Sequence, residues 1–228
     1  MSDKVGARLV WHQAKIICFK DLKSEIRNRA AFNAVLLFTV CTLIVVVYAI
    51  GNQQLPPQVK ASLIWVILFF ASFAGLGHVF QIEADTGTSK TLSLHAMPEA
   101  IFIGKLLFNL IGAAGITLLT LPAFAIMLHL EIFDFLGLIL VFVTGMTALA
   151  TGGTVTAAVI ARAGGKGALF GAIGFPILMP VLLMSVQGTK MVLDNVGQSV
   201  WKIGIGLLLF AIMLLTAAIN VFPLIWDD

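Results

Sequence analysis

Residues 81–105 read QIEADTGTSKTLSLHAMPEAIFIGK, the most polar interior run in a chain that is otherwise close to continuous hydrocarbon. The apolar runs on either side, about 61–80 and 101–128, are each long enough to cross a bilayer. A spanning helix needs roughly 20 mainly apolar residues, rising about 1.5 Å each, to cross a hydrocarbon core of about 30 Å. A polar stretch set between two such runs therefore reads as a connection at one membrane face. The composition agrees: of 228 residues, 60% are hydrophobic and 11% charged, too few polar side chains to cover a water-soluble globule.

Working outward from this stretch, six segments qualify as spans: about 32–50, 61–80, 101–128, 135–160, 168–186 and 203–226. The expected fold class is an all-α polytopic membrane protein, residues 1–228 forming a single transmembrane domain of six helices. Cations decide orientation, because Lys and Arg in short loops stay on the cytoplasmic side. With the N-terminus inside, the inner segments hold Lys4, Arg8, Lys15, Lys20, Lys23, Arg27, Arg29, Lys90, Lys105, Arg162 and Lys166, whereas the outer ones hold Lys60, Lys190 and Lys202. Both termini, and the 81–105 stretch, are expected in the cytoplasm.

Residues 1–31 are expected to be a cytoplasmic amphipathic segment, with the helical pattern falling within 4–27. Val10, Trp11, Ala14, Ile17, Cys18 and Leu22 share one helical face, with Lys15, Lys20 and Lys23 off it. That pattern predicts a helix lying in the interface, its apolar side in lipid and its cations near anionic headgroups. The alternative is the same face packed on protein.

Within the polar stretch, Thr86-Gly87-Thr88 is a turn and helix start, Gly supplying a positive φ and Thr a cap. Leu92 and Leu94 are apolar positions in a short helix that Pro98 closes, because the residue before a proline is pushed out of helical geometry. Lys105 is expected to snorkel to the interface. The short helix is a docking surface: a soluble partner's groove would hold Leu92 and Leu94, and its basic residues would meet Glu83 and Asp85. An ordinary solvated loop is the competing reading.

Other chemistries find no footing. Cys18 and Cys41 share no oxidising face, so no disulfide is expected. Seven cations precede residue 32 without an apolar h-region, so no cleaved signal peptide is expected. The basic residues do not interleave with aromatics along a groove, which disfavours nucleic acid. ARAGGKGAL at 161–169 and FIGKLL at 102–107 carry Gly-Lys but not the full phosphate-cradling loop, so energy must come from another polypeptide. His12, His78, His95 and His129 lack any close ligand spacing, and no metal site is expected. Span interiors with almost no ionisable residues argue against an intramembrane enzyme. Gly145, Ala148, Gly152 and Gly153, with Gly167, Gly171 and Gly174, suit close helix packing. Pro176 and Pro180 are expected to kink the fifth span, and Met191, Val192 and Val196 to mark a short outer-surface helix within 187–202.

The order of a basic amphipathic N-terminus, six spans and a Glu-x-x-x-Gly stretch followed by Leu, Pro and Gly-Lys resembles an ABC-2-type transporter permease. FKDLKSEIRNRAAFNAVLLF at 19–38 and FPILMPVLL at 175–183 further resemble the heme exporter protein B family, the permease subunit of the cytochrome c maturation transporter, over essentially the whole chain. The resemblance implies that 82–98 is the coupling helix seated on a cytoplasmic ABC ATPase, with Glu83, Gly87, Leu92, Leu94 and Pro98 at motif positions and Asp85 beside them. It implies that Asp21, Leu22, Glu25 and Arg27 form an entry helix, and that Pro176 and Pro180 break the fifth span. ATP would bind the partner subunit, no cofactor would bind directly, and heme would be the cargo. A heme-handling membrane subunit, a periplasmic heme chaperone and two copies per complex in the bacterial inner membrane complete the expectation. Motion that releases heme-loaded chaperone is the preferred mechanism over passage of heme through this subunit. The rivals are an ABC-2 permease for a lipid, glycan or drug, and a membrane scaffold that does not move.

Overall fold

The computed structural model describes residues 2–27, 30–51, 53–76, 80, 83, 87–88, 92, 94–162, 167–194 and 200–226. Among them are seven long helices: α1 (Ser2–Arg27), α2 (Ala30–Ile50), α3 (Pro57–Leu76), α4 (Pro98–Met127), α5 (Phe135–Arg162), α6 (Gly167–Leu193) and α7 (Val200–Trp226). All-helical architecture is what an apolar solvent enforces, since each backbone N–H and C=O must find its partner within the segment. Five helices, α2 and α4 to α7, are long and apolar enough to cross a membrane. α3 is apolar as well, but its described apolar core, Pro57–Ser72, is shorter than those five.

The helix ends follow local chemistry. Met97 is extended (φ −66°, ψ 141°) ahead of Pro98, which opens α4 as its first residue. At the far end of α4, Leu130 N–H donates to the Ala125 carbonyl while His129 takes φ 46°, the left-handed closing position that glycine usually fills. The His129 carbonyl then accepts a hydrogen bond from Lys60 Nζ at 3.2 Å, tying the start of α3 to this turn. Asp134 caps α5, its Oδ1 accepting from Gly137 N–H at 2.8 Å.

α5 is the central post, packed against α6 and α7 along most of its length and also touching α3 and α4. Small residues make this possible: a side chain at Gly145 would collide with the Trp65 ring and Ser185 Oγ, and Ala148 is fully buried. Trp65, on α3, lies 5.0 Å from the Phe142 ring of α5 and donates Nε1–H to Thr189 Oγ1 of α6 at 2.8 Å. Most buried hydroxyls on α5 are satisfied within their own helix, with Thr144, Thr151, Thr154 and Thr156 donating to the carbonyl four residues back.

Two expectations are corrected. Residues 187–193 form no separate outer helix; they are the last turns of α6, which carries Pro176 and Pro180 inside it. The rest of the expected outer segment, 195–199, lies outside the described residues. α1 also departs from the reading in which its Val10-to-Leu22 face lies in lipid, because Ala14, Ile17 and Cys18 are buried against protein. Its exposed apolar residues include Leu9, Ile16, Phe19 and Ile26, which fall on the opposite face among Arg8, Lys15 and Lys23.

Candidate functional site

α1 and α4 run side by side in the same direction. Gln13 Oε1 accepts a hydrogen bond from Met97 N–H at 3.1 Å, and eight residues further along each helix Asp21 faces Lys105. Between these points Gly104 makes the close approach possible: a Cβ there would stand 2.8 Å from the Ala14 carbonyl oxygen and 2.9 Å from Ile17 Cβ. Only glycine leaves that room without pushing the helices apart.

At the end of this seam four charges close a ring. Lys105 Nζ lies 2.9 Å from Glu83 Oε2 and 3.6 Å from Asp21 Oδ2, while Lys20 Nζ lies 2.7 Å from Glu83 Oε1 and 3.2 Å from Asp21 Oδ1. Two ammoniums alternate with two carboxylates, so the ring is neutral. Lys105 is fully buried with its ammonium 4.8 Å from the Phe80 ring centroid, Glu83 and Asp21 are nearly so, and Lys20 is half exposed. Removing one partner from such a buried set strands a charge and costs about 3–5 kcal/mol; the half-exposed contacts of Lys20 are worth less, about 1 kcal/mol or under. Burial pulls the Lys20 ammonium down, but its hydrogen bond to Glu83 and the charges of Asp21 and Glu83 more than offset this, leaving its pKa above the ordinary lysine value. Burial, then the Asp21 carboxylate, pushes the neighbouring Cys18 thiol up, which favours its protonated form.

Glu83 also anchors the polar stretch through its backbone. Its carbonyl accepts from Thr88 N–H at 3.1 Å across a turn in which Gly87 has φ 68°. A helical ladder follows, Leu92 N–H to the Thr88 carbonyl and Ala96 N–H to the Leu92 carbonyl, before Met97 extends and α4 begins. Of the expected turn, short helix and stop, the described residues show the positive φ at Gly87, helical Leu92, Leu94 and His95, and extended Met97 ahead of Pro98; 84–86, 89–91 and 93 lie outside the described residues.

The expected docking residues divide. Glu83 is buried and held by two lysines of its own chain, so it does not offer its carboxylate to a partner. Leu92 packs inward on a cluster containing Ile17, Phe80, Ile101 and Phe102, whereas Leu94 is 82% exposed beside exposed His95. Two residues apart on a helix point in nearly opposite directions, so the two leucines cannot share one groove. Gly87 is exposed, Pro98 half-buried, and Asp85 lies outside the described residues, as do Thr86, Lys90 and His78. Lys105 does not snorkel; its tip is the most enclosed charge at the site.

This end of the bundle also collects the last turns of α5 and α7. Phe222 stacks near Phe102 at 5.4 Å and Phe80 at 6.1 Å, with Ala157, Ala158 and Ile160 in the same core. Among the described residues no group of His, Cys, Asp and Glu is placed to hold a metal ion.

The fold and site define a polytopic α-helical membrane protein, bearing at one end of its bundle a ring of four charges that joins α1, Glu83 and α4. Residues 12–225 match the family described as CcmB protein, and the chain belongs to that family. Among its relatives is Heme exporter protein B of Rhodobacter capsulatus, 25% identical over 170 residues that cover 74% of this chain and 78% of the relative.

Proposed function

We propose that this chain is the membrane-spanning subunit of an ABC transporter that serves heme export in cytochrome c maturation, without catalysis of its own. The observation that carries this reading is the family match over residues 12–225, joined to exposed Gly87, Thr88, Leu94 and His95 at the end of the bundle where α1, α4, α5 and α7 converge. In this reading the stretch that carries them is the coupling helix on which a cytoplasmic ABC ATPase sits, with Gly87 and Leu94 facing it, Asp85 adding charge, and Leu92 and Glu83 holding the stretch to the bundle. α3 completes six spans, both termini lie in the cytoplasm of a bacterial inner membrane, and two copies assemble with a heme-handling subunit and a periplasmic heme chaperone.

The mechanical form, in which the stroke releases heme-loaded chaperone, is the one we take. It is favoured by the polar groups buried among the described spans, which are largely spent on one another: Asn109 Nδ2–H donates to Thr154 Oγ1 at 2.8 Å, and the threonines serve their own backbone. The outward face of α1, where Leu9, Ile16 and Phe19 alternate with Arg8, Lys15 and Lys23, suits an anionic lipid surface.

The test is purification of the tagged chain in mild detergent, scoring the proteins and the pigment that accompany it. A co-purifying ATPase and a heme spectrum are expected, and Leu94→Asp is expected to remove the ATPase while the chain is still inserted. ATP hydrolysis by the chain alone, or an ATPase that remains bound to the Leu94→Asp chain, refutes the reading.

A further inference from the structure

Three segments remote in sequence meet at the ring of charges: Lys20 and Asp21 from α1, Glu83 from the polar stretch, and Lys105 from α4. Glu83 is held twice. Its side chain is gripped by the two lysines, and its carbonyl closes the Gly87 turn by accepting from Thr88. Leu92, one side of the short helix, is seated in the same core as Ile17 of α1 and Ile101 of α4. The described contacts thus tie the stretch that carries exposed Leu94 to α1 and α4 at two points, the Glu83 carboxylate and the Leu92 side chain. The ring is also stiff for a solvation reason. Opening it would leave the Lys105 ammonium, which has no exposure to water, facing the Phe80 ring and apolar neighbours without its carboxylates.

We infer that Lys20, Asp21 and Lys105 are positioning residues that fasten the short helix, through Glu83, to α1 and to the first turns of α4, so that all three are driven as one piece. The inference rests on the coupling reading above and adds to it a moving part: α1, with its lipid-facing apolar and basic residues, is carried by each stroke instead of anchoring against it. Two packed elements that keep one arrangement transmit a push; elements that slide absorb it.

The test uses the complete complex in vesicles, with Cys18→Ala and Cys41→Ala as background. Gln13→Cys and Met97→Cys, at the two ends of the existing α1–α4 hydrogen bond, are bridged by a short cleavable thiol cross-linker. If α1 and α4 move together, ATP hydrolysis dependent on this chain stays within about twofold of the uncrosslinked rate; a fall of about tenfold that reverses on cleavage shows that they must slide, and overturns the inference. In a second arm, Lys105→Met is expected to keep the ATPase attached and lower that hydrolysis about tenfold. The pair Glu83→Leu with Lys105→Met removes both charges without stranding either, so it guards against misfolding. A ring that only packs the fold predicts full recovery in this pair, which would overturn the inference; persisting slow hydrolysis with the ATPase attached supports it. Absence of any ATPase on the unmodified chain would instead sink the coupling reading itself.

Discussion

Replacing Gly104 by alanine tests the seam between α1 and α4 at its narrowest point. The new methyl would stand 2.8 Å from the Ala14 carbonyl oxygen and 2.9 Å from Ile17 Cβ. One obstacle is backbone and the other is fixed to it, so no rotamer change relieves the contact and the helices must separate by a few tenths of an ångström. Overpacking of this sort costs about 1–3 kcal/mol, against which alanine gains about 1 kcal/mol over glycine in helix propensity. Gly112 and Gly115, on the same helix, have nothing within 4 Å of the added atom, so Gly112→Ala and Gly115→Ala should show the gain alone. The difference between Gly104→Ala and these controls is then the overpacking term, worth roughly 2 to 12 °C in melting temperature for a chain of this size. Heating in detergent followed by size-exclusion chromatography reads the shift, and maleimide labelling of Cys18, buried beside the seam, reports separation locally. If Gly104→Ala melts with or above its controls and Cys18 stays protected, α1 does not sit where it is described.

Thr154→Val takes away the acceptor of the buried Asn109 amide and should cost about 1 kcal/mol in melting experiments. Asn109→Leu should cost less, because the Thr154 hydroxyl keeps the Ala150 carbonyl at 2.7 Å. Trp65→Phe should lower the tryptophan emission protected from acrylamide, since among the tryptophans whose side chains are described Trp65 is fully buried while Trp11 and Trp201 are exposed; an unchanged protected fraction would contradict that burial. Gly87→Ala meets open space but must hold φ 68°, so it should weaken the turn by about 1–2 kcal/mol, with Gly87→Asn milder; equal behaviour of the two in ATPase retention would argue against the turn.

The membrane-crossing helices were legible because length and apolarity alone announce them, and Pro98 announced the start of α4 three residues before its apolar run. The positive φ at Gly87 was likewise readable from turn chemistry. The ring of charges was not, because its members are separated by up to 85 positions and a lysine next to an apolar run reads by default as one that reaches for water. A clue was nonetheless present: Asp21 shares a helical face with Ala14, Ile17 and Cys18, and a carboxylate in an apolar stripe calls for a buried cation. Leu92 and Leu94 illustrate the converse error, apolar residues assigned to one surface although helical geometry divides them. The second apolar face of α1 was hidden because lysines and arginines are interspersed with it.

Joining Asp21 to Lys105 also constrains how the protein is born. Ribosomes add about 5–20 residues per second, so the carboxylate is made roughly 4 to 17 s before Lys105, the second of its two cations after neighbouring Lys20. For that interval the N-terminal helix lacks its seat on α4, and Asp21 has Lys20 alone as its counter-charge until the fourth helix emerges. A message truncated anywhere before that point yields a product whose first helix never docks, which gives quality-control proteases a simple mark of incompleteness.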